Sequence, residues 1–144
     1  MGKYDRVSHR VGEPKIGEEA ALETLRSILD FYEIGIDEKK PDESKAAAEA
    51  QFDDILEAIR WGEIEVDDEK SFAIVQRLSN GQAITYREIT TEDFKFRSRL
   101  DINEETSAYK ILGRLSGIGE DAIYKLKGQD RQNAARLALI FFMA

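Results

Sequence analysis

The feature that most constrains this chain is a change of hydrophobic period partway along it. Two β-prone runs, Phe72-Ala73-Ile74-Val75-Gln76-Arg77-Leu78 and Ala83-Ile84-Thr85-Tyr86-Arg87-Glu88-Ile89, flank Ser79-Asn80-Gly81. Asn-Gly between such runs is a strong hairpin signal, because both residues accept the positive φ of a tight turn. Just before, Ile64 and Val66 alternate with Glu63, Glu65 and Asp67. A three-strand antiparallel meander is therefore predicted over 62–89.

On either side the apolar spacing is helical. Leu22, Leu25, Ile28, Leu29 and Tyr32 form one stripe, with Glu18 and Glu19 at the positive end of the macrodipole and Gly35 as the stop. Asp37 to Ser44, containing Pro41, reads as a charged connection. Ser44 is placed to cap a second helix, Lys45 to Trp61, with Phe52, Ile55, Leu56 and Ile59 on one face and Gly62 as the stop. After the meander, Thr90 or Thr91 caps a helix carrying Phe94, Phe96 and Leu100. Asn103 caps the next, with Tyr109, Ile111, Leu112 and Leu115, before Gly117 and Gly119 interrupt it. A short helix over 120–127 stops at Gly128, and Asp130 caps a last one containing Leu137, Ile140, Phe141 and Phe142. The expected fold class is α+β, mainly helical: a helical hairpin over 18–61, the meander over 62–89 and a cluster of short helices over 90–144, forming one domain. Residues 1–17 follow neither period and read as a flexible arm.

Composition narrows the function classes. The 144 residues are 35% charged with a net charge of −8, which repels nucleic acid and anionic lipid. The acidity is uneven: residues 1–81 hold 11 Lys and Arg against 20 Asp and Glu, whereas 82–144 hold 10 against 9. There is no cysteine and one histidine, His9, in the arm, so the expectation is no metal, no cofactor, no catalytic residue and no enzymatic activity. The chain lacks a signal-peptide stretch and a membrane-length apolar run, and Arg6 breaks an acylation pattern, which leads to the expectation of a cytoplasmic protein.

Few motifs suggest chemistry. Leu115-Ser116-Gly117-Ile118-Gly119-Glu120-Asp121 resembles a helix-hairpin-helix turn that offers backbone amides to a DNA phosphate, but Glu120 and Asp121 put carboxylates where the phosphate would lie. A tight turn between packed helices is the simpler reading. Carboxylate pairs such as Asp53/Glu57 and Glu65/Asp67 read as solvated faces. Trp61 and Tyr86 read as core. Ile140-Phe141-Phe142-Met143-Ala144 is an apolar run that must be covered by the domain, a second copy or a client.

Three segments carry a family resemblance. Phe52 to Val66 is similar to an acidic helix followed by an Ala-Ile-Arg-x-Gly step into a strand. Arg87-Glu88-Ile89-Thr90-Thr91-Glu92-Asp93 is similar to Arg-Glu-Pro-Thr-x-x-Asp, with Ile89 in place of proline. Leu115-Ser116-Gly117-Ile118, then Leu126 and Asp130, resembles a Leu-Thr/Ser-Gly-hydrophobic, Leu, Asp tail. Together they resemble the tail assembly chaperones of long-tailed phages and prophages. The resemblance implies a non-enzymatic, oligomerising protein that binds the helical tape-measure protein in the bacterial cytoplasm before the tail tube assembles. Client or self-association surfaces would then be the stripes Leu22, Leu25, Leu29 and Tyr32, and Phe52, Ile55, Leu56 and Ile59, with Trp61 and with Ile140, Phe141, Phe142 and Met143. Alternative expectations are a DNA-associated regulator using Gly117-Ile118-Gly119 and a structural virion protein.

Overall fold

The computed structural model describes residues 10–69 and 71–144. The described residues form seven helices and a three-stranded antiparallel sheet in the order β1-β2-β3, an α+β, mainly helical fold as expected.

Helix α1, Glu18–Phe31, buries Ala21, Leu25, Ile28 and Leu29 at helical spacing, each worth about 1.5–3 kcal/mol for a Leu or Ile. Its end differs from expectation. The Glu33 N–H donates to Asp30 O and the Ile34 N–H to Leu29 O, a Schellman closure, and Glu33 itself takes φ 54°. The left-handed residue is therefore a glutamate, two positions before Gly35. Buried Ile34 supplies the apolar contact that holds the closure.

The single helix expected over Lys45–Trp61 is instead two, α2 at Pro41–Gln51 and α3 at Asp53–Arg60. Pro41 belongs to the first turn of α2, where its missing N–H costs nothing, and Ser44 is not the cap; that position is Lys40, without a side-chain cap bond. The helices part at Phe52 (φ −110°, ψ 32°), whose C=O accepts from the Leu56 N–H and starts α3. The kink turns the Phe52 ring into the core, where it is fully buried. Gly62 (φ 74°) closes α3 and leads straight into β1.

Strands β1 (Ile64–Asp67), β2 (Ala73–Arg77) and β3 (Ala83–Tyr86) pair in the register Ile64↔Gln76 and Gln76↔Ile84. The predicted hairpin is present as a three-residue loop: the Leu78 N–H donates to Gln82 O, and Gly81 takes φ 89°. Ile64, Ile74, Gln76, Ile84 and Tyr86 face the helices and are buried. The third strand stops at Tyr86 rather than Ile89, and the Arg87 N–H that follows bonds Leu115 O.

Helix α4 is Thr91–Ser98, with Thr90 as its cap, as expected. Helix α5 runs Glu105–Ser116, capped at Glu104 and not at Asn103, whose N–H instead meets the Asp101 carboxylate in a local turn. Helix α6 is only Glu120–Tyr124, and α7 spans Gly128–Met143 from an N-cap at Lys127. Asp130 thus lies inside the first turn of α7. It is not a cap because its carboxylate is engaged elsewhere, accepting from the Ser79 N–H and hydroxyl.

Helix α7 is the centre of the molecule. It packs on α3, α5, α6 and β2, and buries Ala134, Leu137, Ala138, Ile140 and Phe141. Of the expected arm, residues 1–9, His9 included, lie outside the described residues. The described part is tied to the domain: Arg10 grips Glu63 through two bonds of 2.9 and 2.7 Å, and the Ile16 N–H donates to Arg60 O at 3.1 Å. Among the described residues no helix is long and apolar enough to cross a membrane.

Candidate functional site

The expected client surfaces require correction first. Leu25, Leu29, Phe52, Ile55, Ile59, Ile140 and Phe141 are buried in the domain's own core. The stripes of α1 and α3 pack on each other, on β1 and, for α3, on α7, so the groove that the hairpin would offer is filled by the rest of the chain. Leu22, Tyr32, Leu56, Trp61 and Phe142 are half-buried, and only Met143 of this set is exposed.

Exposed apolar side chains remain in two places around α7, on its outer face and in an aromatic group on the side of the helix that carries Phe141. Leu139 and Met143, one turn apart, are each 42% exposed. Beside them the Arg97 guanidinium donates to Phe141 O and Ala144 O at 2.8 Å and lies 4.8 Å from the centre of the exposed Phe94 ring. Tyr32 meets Phe141 edge-on at 6.2 Å, and exposed Phe31 touches Tyr32 and stacks on Phe72 with centroids 4.1 Å apart. Burial pushes the Tyr32 phenol up to about 12, so this ring stays neutral at pH 7. Phe31 was missed in the sequence because it falls off the α1 stripe; its departure from the periodic positions was the available signal. Leu139 likewise sits off the buried face of α7. Phe94 was legible as apolar, though not as uncovered.

The residues that carry the family resemblance converge at one structural joint. Asp93 is fully enclosed and accepts from both terminal nitrogens of Arg87, from Arg114 Nε at 2.7 Å, and from the Thr90 N–H and hydroxyl at 2.8 and 3.0 Å. The Arg87 bond, followed by the Thr90 and Arg114 bonds, holds its carboxyl well below the usual carboxylate range despite burial. Arg87 also donates to Glu88 O, and its own N–H bonds Leu115 O, so the second and third segments of the resemblance meet in space. Arg114 completes the joint and had no signal of its own, being one of many surface-spaced cations. Asp130 belongs to another joint: besides holding Ser79, its backbone O accepts from buried Gln76, which in turn accepts from the Tyr86 hydroxyl at 2.8 Å. Leu126 packs half-buried against the core. These positions hold elements together.

The Gly-Ile-Gly turn is also structural. The Gly117 and Gly119 N–H groups both donate to Gly113 O, at 3.0 and 3.3 Å, and are not presented outward. Ser116 Oγ donates to the same carbonyl. Gly113, unremarked in the sequence, is where α6 touches α5: a Cβ there would lie 2.4 Å from Glu120 N. Glu120 and Asp121 are exposed at this corner and disfavour a phosphate.

One concavity is a polar cleft of about 350 Å³ lined by Arg10, Asp54, Trp61, Gln129, Asn133 and Arg136. Its charges are matched, Arg10 with Glu63 and Arg136 with Asp54 at 2.8 Å. Asn133 donates to Glu63 and accepts from Gln129, so the cleft floor is a closed network. No group of three His, Cys, Asp or Glu side chains among the described residues converges as metal ligands. In comparisons with known family models, curated proteins and solved structures, the chain matches none.

Proposed function

We propose that this protein is a non-enzymatic tail assembly chaperone of a phage or prophage, which binds a helical tape-measure protein in the bacterial cytoplasm and keeps it soluble before tail-tube assembly. The observation that supports the reading is the set of exposed apolar side chains that the core does not use, Leu139 and Met143 on α7, Phe94, and Phe31 stacked on Phe72. A holdase needs exposed apolar area that a helix can lie on, and aromatic and Met side chains supply it with little geometric demand. The acidic amino-terminal part would keep the loaded complex soluble. Self-association of the free protein would use the same side chains.

Co-expression with a long helical tape-measure fragment tests this. The wild-type chain should raise the soluble fraction of the fragment and co-purify with it, whereas Phe31→Ser combined with Met143→Ser should lose both and keep the wild-type circular dichroism spectrum. A fragment that stays insoluble with the wild-type chain would overturn the proposal.

A further inference from the structure

A second surface, away from the end of α7, has the geometry of a strand acceptor. In an antiparallel ladder, residues alternate between bonding the neighbour and turning N–H and C=O away from it. The bond from the Arg77 N–H to Glu63 O fixes the phase: residues 63, 65 and 67 bond β2, so Ile64 and Val66 turn their backbone groups to the outer edge of β1. No hydrogen bond from a described residue reaches these groups. The opposite edge is closed just past its end, where the outward N–H of Arg87 donates to Leu115 O, and among the described residues no groove lines the exposed Ala83 and Thr85 before it as one lines β1. Beside β1 lies an open groove of about 530 Å³, walled by Thr24 and Ser27 of α1 and by Lys15, with Ile59 at its base. The hydroxyls of Thr24 and Ser27 bond carbonyls of their own helix, leaving that wall uncommitted. The groove is lined by Ile64, Glu65 and Val66, the stretch of β1 whose outer backbone groups a fourth strand would pair.

We propose that the free edge of β1 is a docking site for an extended segment of a partner protein in which apolar and basic side chains alternate, added as a fourth strand. Backbone bonds to Ile64 and Val66 provide the affinity, and the two faces of the sheet provide the selection. On the inner face an added side chain meets Ile64, Val66 and Ile59, which favour an apolar residue. On the outer face it meets Asp67 and Glu65, the latter already paired with Arg77 at 3.1 Å, followed by exposed Asp68 and Glu69, and the three carboxylates without a basic partner among the described residues favour Lys or Arg. Charge also argues against a second copy, because β1 laid antiparallel on itself sets carboxylates opposite carboxylates.

The test uses the full chain and a dye-labelled hexapeptide of alternating Lys and Val, followed by fluorescence anisotropy at low salt. Saturable binding is expected, weakened by at least about tenfold in Val66→Pro, which removes one outward N–H without touching the bonds to β2. The same loss is expected on the wild-type chain when the peptide's alternate amides are N-methylated. That second measurement decides the matter if Val66→Pro loses its circular dichroism spectrum. Equal binding of a Glu-Val peptide, undiminished binding by both Val66→Pro and the methylated peptide, or no saturation below about 1 mM would overturn the proposal. So would dimerisation in sedimentation that Val66→Pro abolishes, which assigns the edge to a second copy. None of these outcomes depends on the tape-measure fragment, so this inference and the chaperone proposal fail separately.

Discussion

Asp93 is the residue on which most depends, since one enclosed carboxylate joins the exit from β3, the cap of α4 and the side of α5. Asp93→Asn should destabilise the fold by about 3 kcal/mol at pH 7, the lower part of the range for breaking a buried pair, because both arginines are partly exposed. The carboxyl is depressed in the folded state, so its contribution is complete above the unfolded value near 4 and fades as pH falls toward the folded value. Urea titrations should therefore show the gap between wild type and variant narrowing from pH 5 to pH 3; a constant gap would contradict the assignment. Glu33 makes the opposite case. It holds φ 54° at an exposed site, a conformation that costs a non-glycine residue roughly 1–2 kcal/mol. Glu33→Gly should raise stability by about 0.5–1 kcal/mol, read as a shift of the urea midpoint at constant slope. Neither role was fully legible. Thr90 or Thr91 announced a helix start, but the spacing did not show that Arg87, leaving the strand, and Arg114, 21 residues on, close on Asp93.

At the scale of elements, spacing specified what the backbone does locally and left open what covers it. The Asn80-Gly81 turn and the α1 stripe were readable because their causes lie within a few residues. The kink at Phe52 was not, because Asp53 to Arg60 continues the helical period and only the core can reward turning that ring inward. Asp130 looked like a cap because its type fits one, and the competitor, Ser79, is 51 residues away. Gly113 is the clearest element contact, and Gly113→Ala should cost about 2–3 kcal/mol because backbone of α6, not a movable side chain, occupies the space. Gly81→Ala, in open space but at φ 89°, should cost less, about 1–2 kcal/mol. Thermal unfolding of the two variants side by side checks the order. Helix α2 buries only Ala48 and is held to α1 by exposed pairs, Arg26 with Glu49 and Lys45 with Asp30. Its amides should exchange with deuterium well before those of α7, by local opening.

Taken whole, the molecule spends its strongest apolar periodicities on its own interior. That is why the client stripes expected on the amino-terminal helices turned out to be core, and why the uncovered area consists of residues off the periodic positions. Met143→Ser should change stability by no more than about 0.5–1 kcal/mol and Phe31→Ser, which loses its stack on Phe72, by about 1–2 kcal/mol, while Phe141→Ala, deep in the centre, should cost about 3–5 kcal/mol. Chemical denaturation separates the two classes without reference to any partner.

The central place of α7 has a consequence for synthesis. The stripes of α1 and α3 emerge from the ribosome by residue 60, but the helix that completes their enclosure is finished only at residue 143. At roughly 5–20 residues per second this leaves them incompletely covered for about 4–17 s in each new chain. During that interval the nascent protein is itself a candidate for capture by the cell's folding machinery, and a stop codon introduced before Leu137 should yield a product that degrades or aggregates instead of a smaller stable domain.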